Sequence, residues 1–130
     1  KYIKDKNNPQ IKYMGFCKNR EELFIKQREA KILACVLPPE NNAVKYCFPY
    51  KLFEYLLSGT PTISFYLPGI SNEWREHIVK IENSSPNGIK QAIEKVVSMT
   101  DSESLEFGNR AREFILKNKL VFLYEYKRFN

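Results

Sequence analysis

Residues 47–61 read Cys-Phe-Pro-Tyr-Lys-Leu-Phe-Glu-Tyr-Leu-Leu-Ser-Gly-Thr-Pro, a helix with its start and stop signals written into it. Pro49 suits a first helical position, where its missing N–H costs nothing. Gly59 suits the position just past the end, where the backbone turns left-handed. Between them Leu52, Phe53, Tyr55, Leu56 and Leu57 leave almost no polar side. Such a helix is buried by its neighbours, so the chain must supply layers around it. Lys51 and Glu54, three residues apart on one face, are the exception and call for a ligand or a partner.

The flanking sequence supplies those layers. Ile11–Phe16 alternates and reads as a short strand. Asn19 caps a helix over 20–30, with Leu23, Phe24 and Ala30 on its apolar face and Gln27 between them. The run 31–37, stopped by Pro38-Pro39, reads as a buried strand of a parallel sheet. A polar loop, 40–46, leads into the central helix, expected over 49–57. Thr62–Phe65 is the next strand, Tyr66–Ile70 a loop, and Ser71 caps a short helix to about His77. Ile78–Ile81 is a fourth strand. Ser85-Pro86 opens an amphipathic helix through Ile89, Ala92, Ile93, Val96 and Val97. Thr100 and Glu103 form a capping box for a helix to about Asn118, burying Leu105, Ala111, Phe114 and Ile115. The segment 119–130 is an apolar tail, expected to pack across something.

Strands alternating with helices predict an α/β, Rossmann-like domain: a mostly parallel sheet with flanking helices, spanning 1–130 as a single unit. In such sheets ligands bind beyond the carboxyl ends of the strands. The loop before the central helix follows a buried strand, so it lies at that end.

The chain has 130 residues and no apolar run of membrane-spanning length. It has no initiating Met and reads as a fragment of a longer protein. Cys17, Cys35 and Cys47 have no metal-ligand spacing and read as reduced thiols of a cytoplasmic protein. Asn83-Ser84-Ser85 is then a chance glycosylation sequon. The net charge of +6 favours phosphates or an anionic membrane surface. Its scatter, with no basic-aromatic ladder, argues against nucleic acid.

The first turn of the central helix offers N–H groups without internal partners and the positive end of the helix dipole, and a phosphate is stabilised there. Lys51 adds a full charge, and Glu54, one turn on, can accept from a ribose diol. The plainer reading of Lys51 and Glu54 is a solvated surface pair. Neither the Gly-x-Gly-x-x-Gly nor the P-loop fingerprint is present.

Residues 48–64, Phe-Pro-Tyr-Lys-Leu-Phe-Glu-Tyr-Leu-Leu-Ser-Gly-Thr-Pro-Thr-Ile-Ser, closely resemble a stretch of the group 1 glycosyltransferases, glycosyltransferase family 4. A common form there is Phe-Pro-Ser-Lys-Leu-Phe-Glu-Tyr-Leu-Ala-Ser-Gly-Lys-Pro-Val-Ile. Ile11–Phe16, Pro68-Gly69-Ile70 and Ala111–Ile115 resemble flanking stretches in the same order. The resemblance implies a GT-B fold, of which this chain is an incomplete C-terminal, donor-binding half. It implies sugar transfer with retention from a nucleotide-sugar, such as a UDP- or GDP-sugar, to a glycan, lipid or small-molecule acceptor, with peripheral membrane contact compatible. Glu54 aligns with the second Glu of the family's Glu-x7-Glu motif and would hold the ribose. Cys47, Phe48, Pro49 and Tyr50 align with the backbone that holds the diphosphate and sugar.

Two departures stand out. Tyr46 occupies the place of the motif's first Glu, which contacts the donor sugar, although subgroups with the Phe-Pro-Ser-Lys form often lack it. The family's donor domain also has two earlier strand–helix units, carrying a basic residue for the diphosphate. The chain alone is therefore expected to be inactive and to hold no catalytic side chain, metal or further cofactor. A non-catalytic module that kept the scaffold is the alternative, and a basic nucleic-acid binder a third. His77, Trp74, Glu73, Arg110 and Arg112 read as packing or surface residues.

Overall fold

A computed structural model describes residues 8–42 and 50–118. Helix α1 (Arg20–Glu29) leads into strand β1 (Leu33–Cys35). Helix α2 (Tyr50–Ser58) leads into β2 (Thr62–Ser64), and the short α3 (Asn72–Arg75) into β3 (Val79–Lys80). Helices α4 (Pro86–Val97) and α5 (Asp101–Lys117) follow. The strands form one sheet in the order β1-β2-β3, both pairs parallel. Leu33 lies beside Thr62, and Ile63 beside Val79. The molecule is thus α/β, with helices flanking a parallel three-stranded sheet. The tail beyond Asn118 and residues 43–49 lie outside the described residues, so the expected start of α2 at Pro49 does too.

Local chemistry places the helix ends. Asn19 Oδ1 accepts from the N–H of Glu21 and Glu22 at the start of α1. Ser85 Oγ accepts from Gly88 N–H, with Pro86 in the first turn of α4. Thr100 and Glu103 complete both halves of the capping box of α5, at 3.1 and 2.8 Å. Each motif satisfies N–H groups that helix geometry leaves without partners.

The core lies where α2, α4 and α5 meet the sheet. Leu52, Leu56, Ile63, Leu67, Ile81, Val96, Ala111 and Ile115 are buried there. Helix α2 is less enclosed than its composition suggests. Phe53, Tyr55 and Leu57 are only partly buried, because α1 and α5 cover part of its circumference.

Its carboxyl end is the most constrained point of the fold. Gly59 turns left-handed at φ 78°, and its N–H reaches Leu56 O at 3.2 Å. A Cβ on Gly108 of α5 would overlap the Gly59 carbonyl, so two backbones meet there with no room for a side chain. The next residues spread outward from this contact. Thr60 Oγ1 donates to Gln27 O at 2.7 Å, tying in the end of α1. Leu33 N–H donates to Pro61 O at 3.0 Å, beginning the β1–β2 ladder.

Several sequence expectations are corrected, among them Leu105, expected to be buried on α5 but exposed, and Ser71, which precedes α3 without a side-chain cap bond. Residues 11–16 form no strand. Ile11, Tyr13, Met14 and Phe16 are exposed, and Gly15 interrupts the segment at φ 73°. Alternation sorts side chains to two faces, but a strand also needs a neighbour to complete its ladder. The strand in 31–37 shrinks to Leu33–Cys35 at a sheet edge, leaving Val36 and Leu37 exposed. On α1 the buried residue is Gln27, not Leu23, which is exposed, and the Gln27 carbonyl accepts from the Thr60 hydroxyl.

Beside the start of β3, Trp74 meets Phe114 edge-on at 5.7 Å and His77 stacks on the same ring at 4.7 Å. Trp74 and His77 therefore serve as packing residues. Burial pushes the His77 imidazole below its ordinary 6.5, Glu76 opposes that shift, and Arg110 adds to it.

Two outcomes follow from these contacts. Gly108→Ala is expected to destabilise the protein by about 3 kcal/mol through overpacking, and Gly59→Ala by about 1–2 kcal/mol through its left-handed backbone. Urea unfolding of both variants checks this, and a loss below about 0.5 kcal/mol in Gly108→Ala contradicts the contact. For His77 the unfolded chain takes up the proton before the folded one as pH falls. Stability should drop as pH falls through about 6.5 and level off once folded His77 is protonated as well. Unfolding midpoints between about pH 5 and 8 should show a shallower drop in His77→Gln.

Candidate functional site

Helices that precede strands of a parallel sheet start at the sheet's carboxyl end. Helices α1 and α2 both do so, and their first turns open on the same side. A groove of about 500 Å³ runs between them. Phe16, Cys17, Arg20, Leu23, Phe24 and Gln27 line one wall, with Glu54 and Leu57 of α2 on the other. Glu54 is half-buried in this wall, whereas Lys51 is exposed one turn nearer the start of α2.

The two charged residues therefore separate in role. They form no ion pair with each other. Lys51 stands beside the helix start, and Glu54 faces the groove. Next to Glu54, the Tyr55 hydroxyl titrates above its ordinary 10.0, chiefly through burial, with Cys35 and the Glu54 carboxylate adding to the shift. Tyr55 is accordingly a neutral hydroxyl at physiological pH. Tyr50 is half-buried at the first turn of α2. Tyr46, Cys47, Phe48 and Pro49 lie outside the described residues.

Sequence reasoning did not identify the opposite wall. Cys17 and Arg20 sit at and just before the start of α1, and nothing local links them to Glu54, which is far along the chain. Cys17 Sγ donates to Asn19 O at 3.2 Å, which holds the thiol against the cap of α1. The only hint was the Asn19 cap itself, which fixes where α1 begins. Arg20 brings a guanidinium to the groove that holds the Glu54 carboxylate.

A second groove, of about 200 Å³, lies at the amino end of the sheet beside Lys31, Gly59, Thr60 and Asp101. It is floored by the Gly59 turn, and Lys31 and Asp101 face each other across it at 3.7 Å. Among the described residues no group of three His, Cys, Asp or Glu side chains is arranged to hold a metal ion, and no helix is long and apolar enough to cross a membrane. Glu73 is exposed, Arg110 pairs with Glu106 on the surface of α5, and the stem of Arg112 lies near Gly59.

The chain has no significant match among family models, curated proteins or solved structures.

Proposed function

We propose that this chain is the donor-binding part of a retaining glycosyltransferase, a portion of a GT-B fold. The observation that carries the reading is the placement of Glu54. Glu54 lines the groove between α1 and α2, two helices that start at the carboxyl end of a parallel α/β sheet, and lies one turn beyond Lys51 at the start of its helix.

In this reading the nucleoside diphosphate lies along the first turn of α2. The helix N–H groups and Lys51 hold the diphosphate. The ribose hydroxyls donate to Glu54, and Arg20 adds positive charge from the facing wall. The partly buried side chains of Phe24 and Leu57 give the groove an apolar floor. Tyr46, Cys47, Phe48, Pro49 and Tyr50 complete the sugar and phosphate end. The acceptor hydroxyl displaces the diphosphate at the anomeric carbon, and the charge that builds on the departing group is stabilised by the start of α2 and by Lys51. The acceptor is a glycan, lipid or small molecule, and the setting is the cytoplasm or its membrane surface.

A second reading rests on Tyr46. Replacing the first motif Glu with a phenol removes a carboxylate from the donor sugar, which fits a module that binds nucleotide without transferring sugar. The two readings share the nucleotide site and differ in turnover.

Calorimetry with UDP and other nucleoside diphosphates tests the shared site. Glu54→Ala is expected to weaken binding by about tenfold or more, the worth of a charge-assisted hydrogen bond, with the unfolding midpoint nearly unchanged. Unchanged affinity in Glu54→Ala would falsify the assignment. Release of UDP from a UDP-sugar by the full-length protein separates the enzyme from the module.

A further inference from the structure

A second cluster at the same end of the sheet lies outside the groove. Tyr66 sits just past β2, Arg75 ends α3, and Lys80 ends β3. The Arg75 guanidinium carbon lies 5.0 Å from the centre of the Tyr66 ring, and Lys80 Nζ lies 5.1 Å from it. Two cations are therefore held around one ring, at most about 10 Å apart. The ring attracts each of them, but they repel each other.

Their counter-charges are incomplete. Lys80 pairs with Glu82 at 3.0 Å. Arg75 has no carboxylate partner among the described residues. Its Nη1 donates to the neutral Asn72 Oδ1 at 3.2 Å, and its Nε is buried with no acceptor. Glu73 and Glu76, exposed on the same turn, pair with neither cation. The Tyr66 hydroxyl donates to Arg75 O at 3.4 Å, fastening the turn that carries the guanidinium to the ring below it. Arg75 is thus fixed in place by packing and neutral hydrogen bonds, with its charge unspent.

We propose that Tyr66, Arg75 and Lys80 form an oxyanion site that takes a phosphate group, with Arg75 and Lys80 donating to its oxygens and Tyr66 holding the two cations in position. A phosphate offers enough acceptor oxygens to meet both donors at once, which relieves their repulsion. The site uses none of the residues assigned to the nucleotide and stands whether or not that assignment holds.

The test is a titration of the isotope-labelled protein with inorganic phosphate, followed through the amide signals of Tyr66, Arg75 and Lys80. Saturable shifts at these residues are expected, and Lys80→Gln should weaken them by about tenfold while leaving the unfolding midpoint in place. Tyr66→Phe should keep the affinity and Tyr66→Leu lower it, since only the former retains the ring. Shifts confined to Tyr50, Lys51 and Glu54 would report the start of α2 instead and would overturn the proposal. So would equal phosphate affinity in the wild type, Lys80→Gln and Tyr66→Leu. Vesicles of phosphatidylcholine with phosphatidylglycerol form the second arm. Binding to them that Lys80→Gln abolishes supports the site with a lipid headgroup as the source of phosphate. Saturation by free phosphate without vesicle binding supports it with a soluble ligand.

Discussion

The contact between Gly59 and Gly108 fixes the amino end of the sheet. Two backbones touch where any side chain would separate them, and α2 and α5 are seated by that approach. The left-handed turn at Gly59 then aims Thr60 at the end of α1 and Pro61 at the start of β1. Four elements are thereby fixed within a few residues. The three strands among the described residues are short and offer a small ladder, so tight backbone packing of this kind adds to their order.

Helix α2 links this locked end to the open one. Its carboxyl end is held by Gly59, and its first turn faces the carboxyl ends of the strands. The N–H groups of that first turn have no helical acceptor. The helix therefore carries a rigid mounting at one end and an anion-attracting turn at the other. Glu54 sits between and lines the groove beside α1. Tyr66 and Lys80 also lie at this open end, with Arg75 against the Tyr66 ring.

Local signals were legible in the sequence, and long-range ones were not. The caps at Asn19, Ser85 and Thr100 fell where their side chains demanded, because a cap is decided within three residues. Gly59 was legible as a helix stop for the same reason. Gly108 was silent, since a glycine inside a helix is locally only a small cost, and its purpose comes from a backbone forty-nine residues away. Residues 11–16 had the alternation of a strand and no described strand beside them to pair with. Gln27 rather than Leu23 is the buried residue of α1, a choice set by where the helix packs. In the site, Lys51 and Glu54 stood out because charge on an apolar helix is conspicuous. Their division into an exposed cation and a groove-lining carboxylate depended on where α1 packs, and so did the roles of Cys17 and Arg20.

The central claim is that the groove between α1 and α2 receives a nucleoside diphosphate. Amide signals of the labelled protein, followed as UDP is added, test it most directly. The account predicts saturable shifts at Tyr50, Lys51 and Glu54 together with Phe16, Cys17 and Arg20 across the groove. Shifts confined to Lys31, Gly59 and Asp101 at the opposite end of the sheet, or none at all, would contradict it.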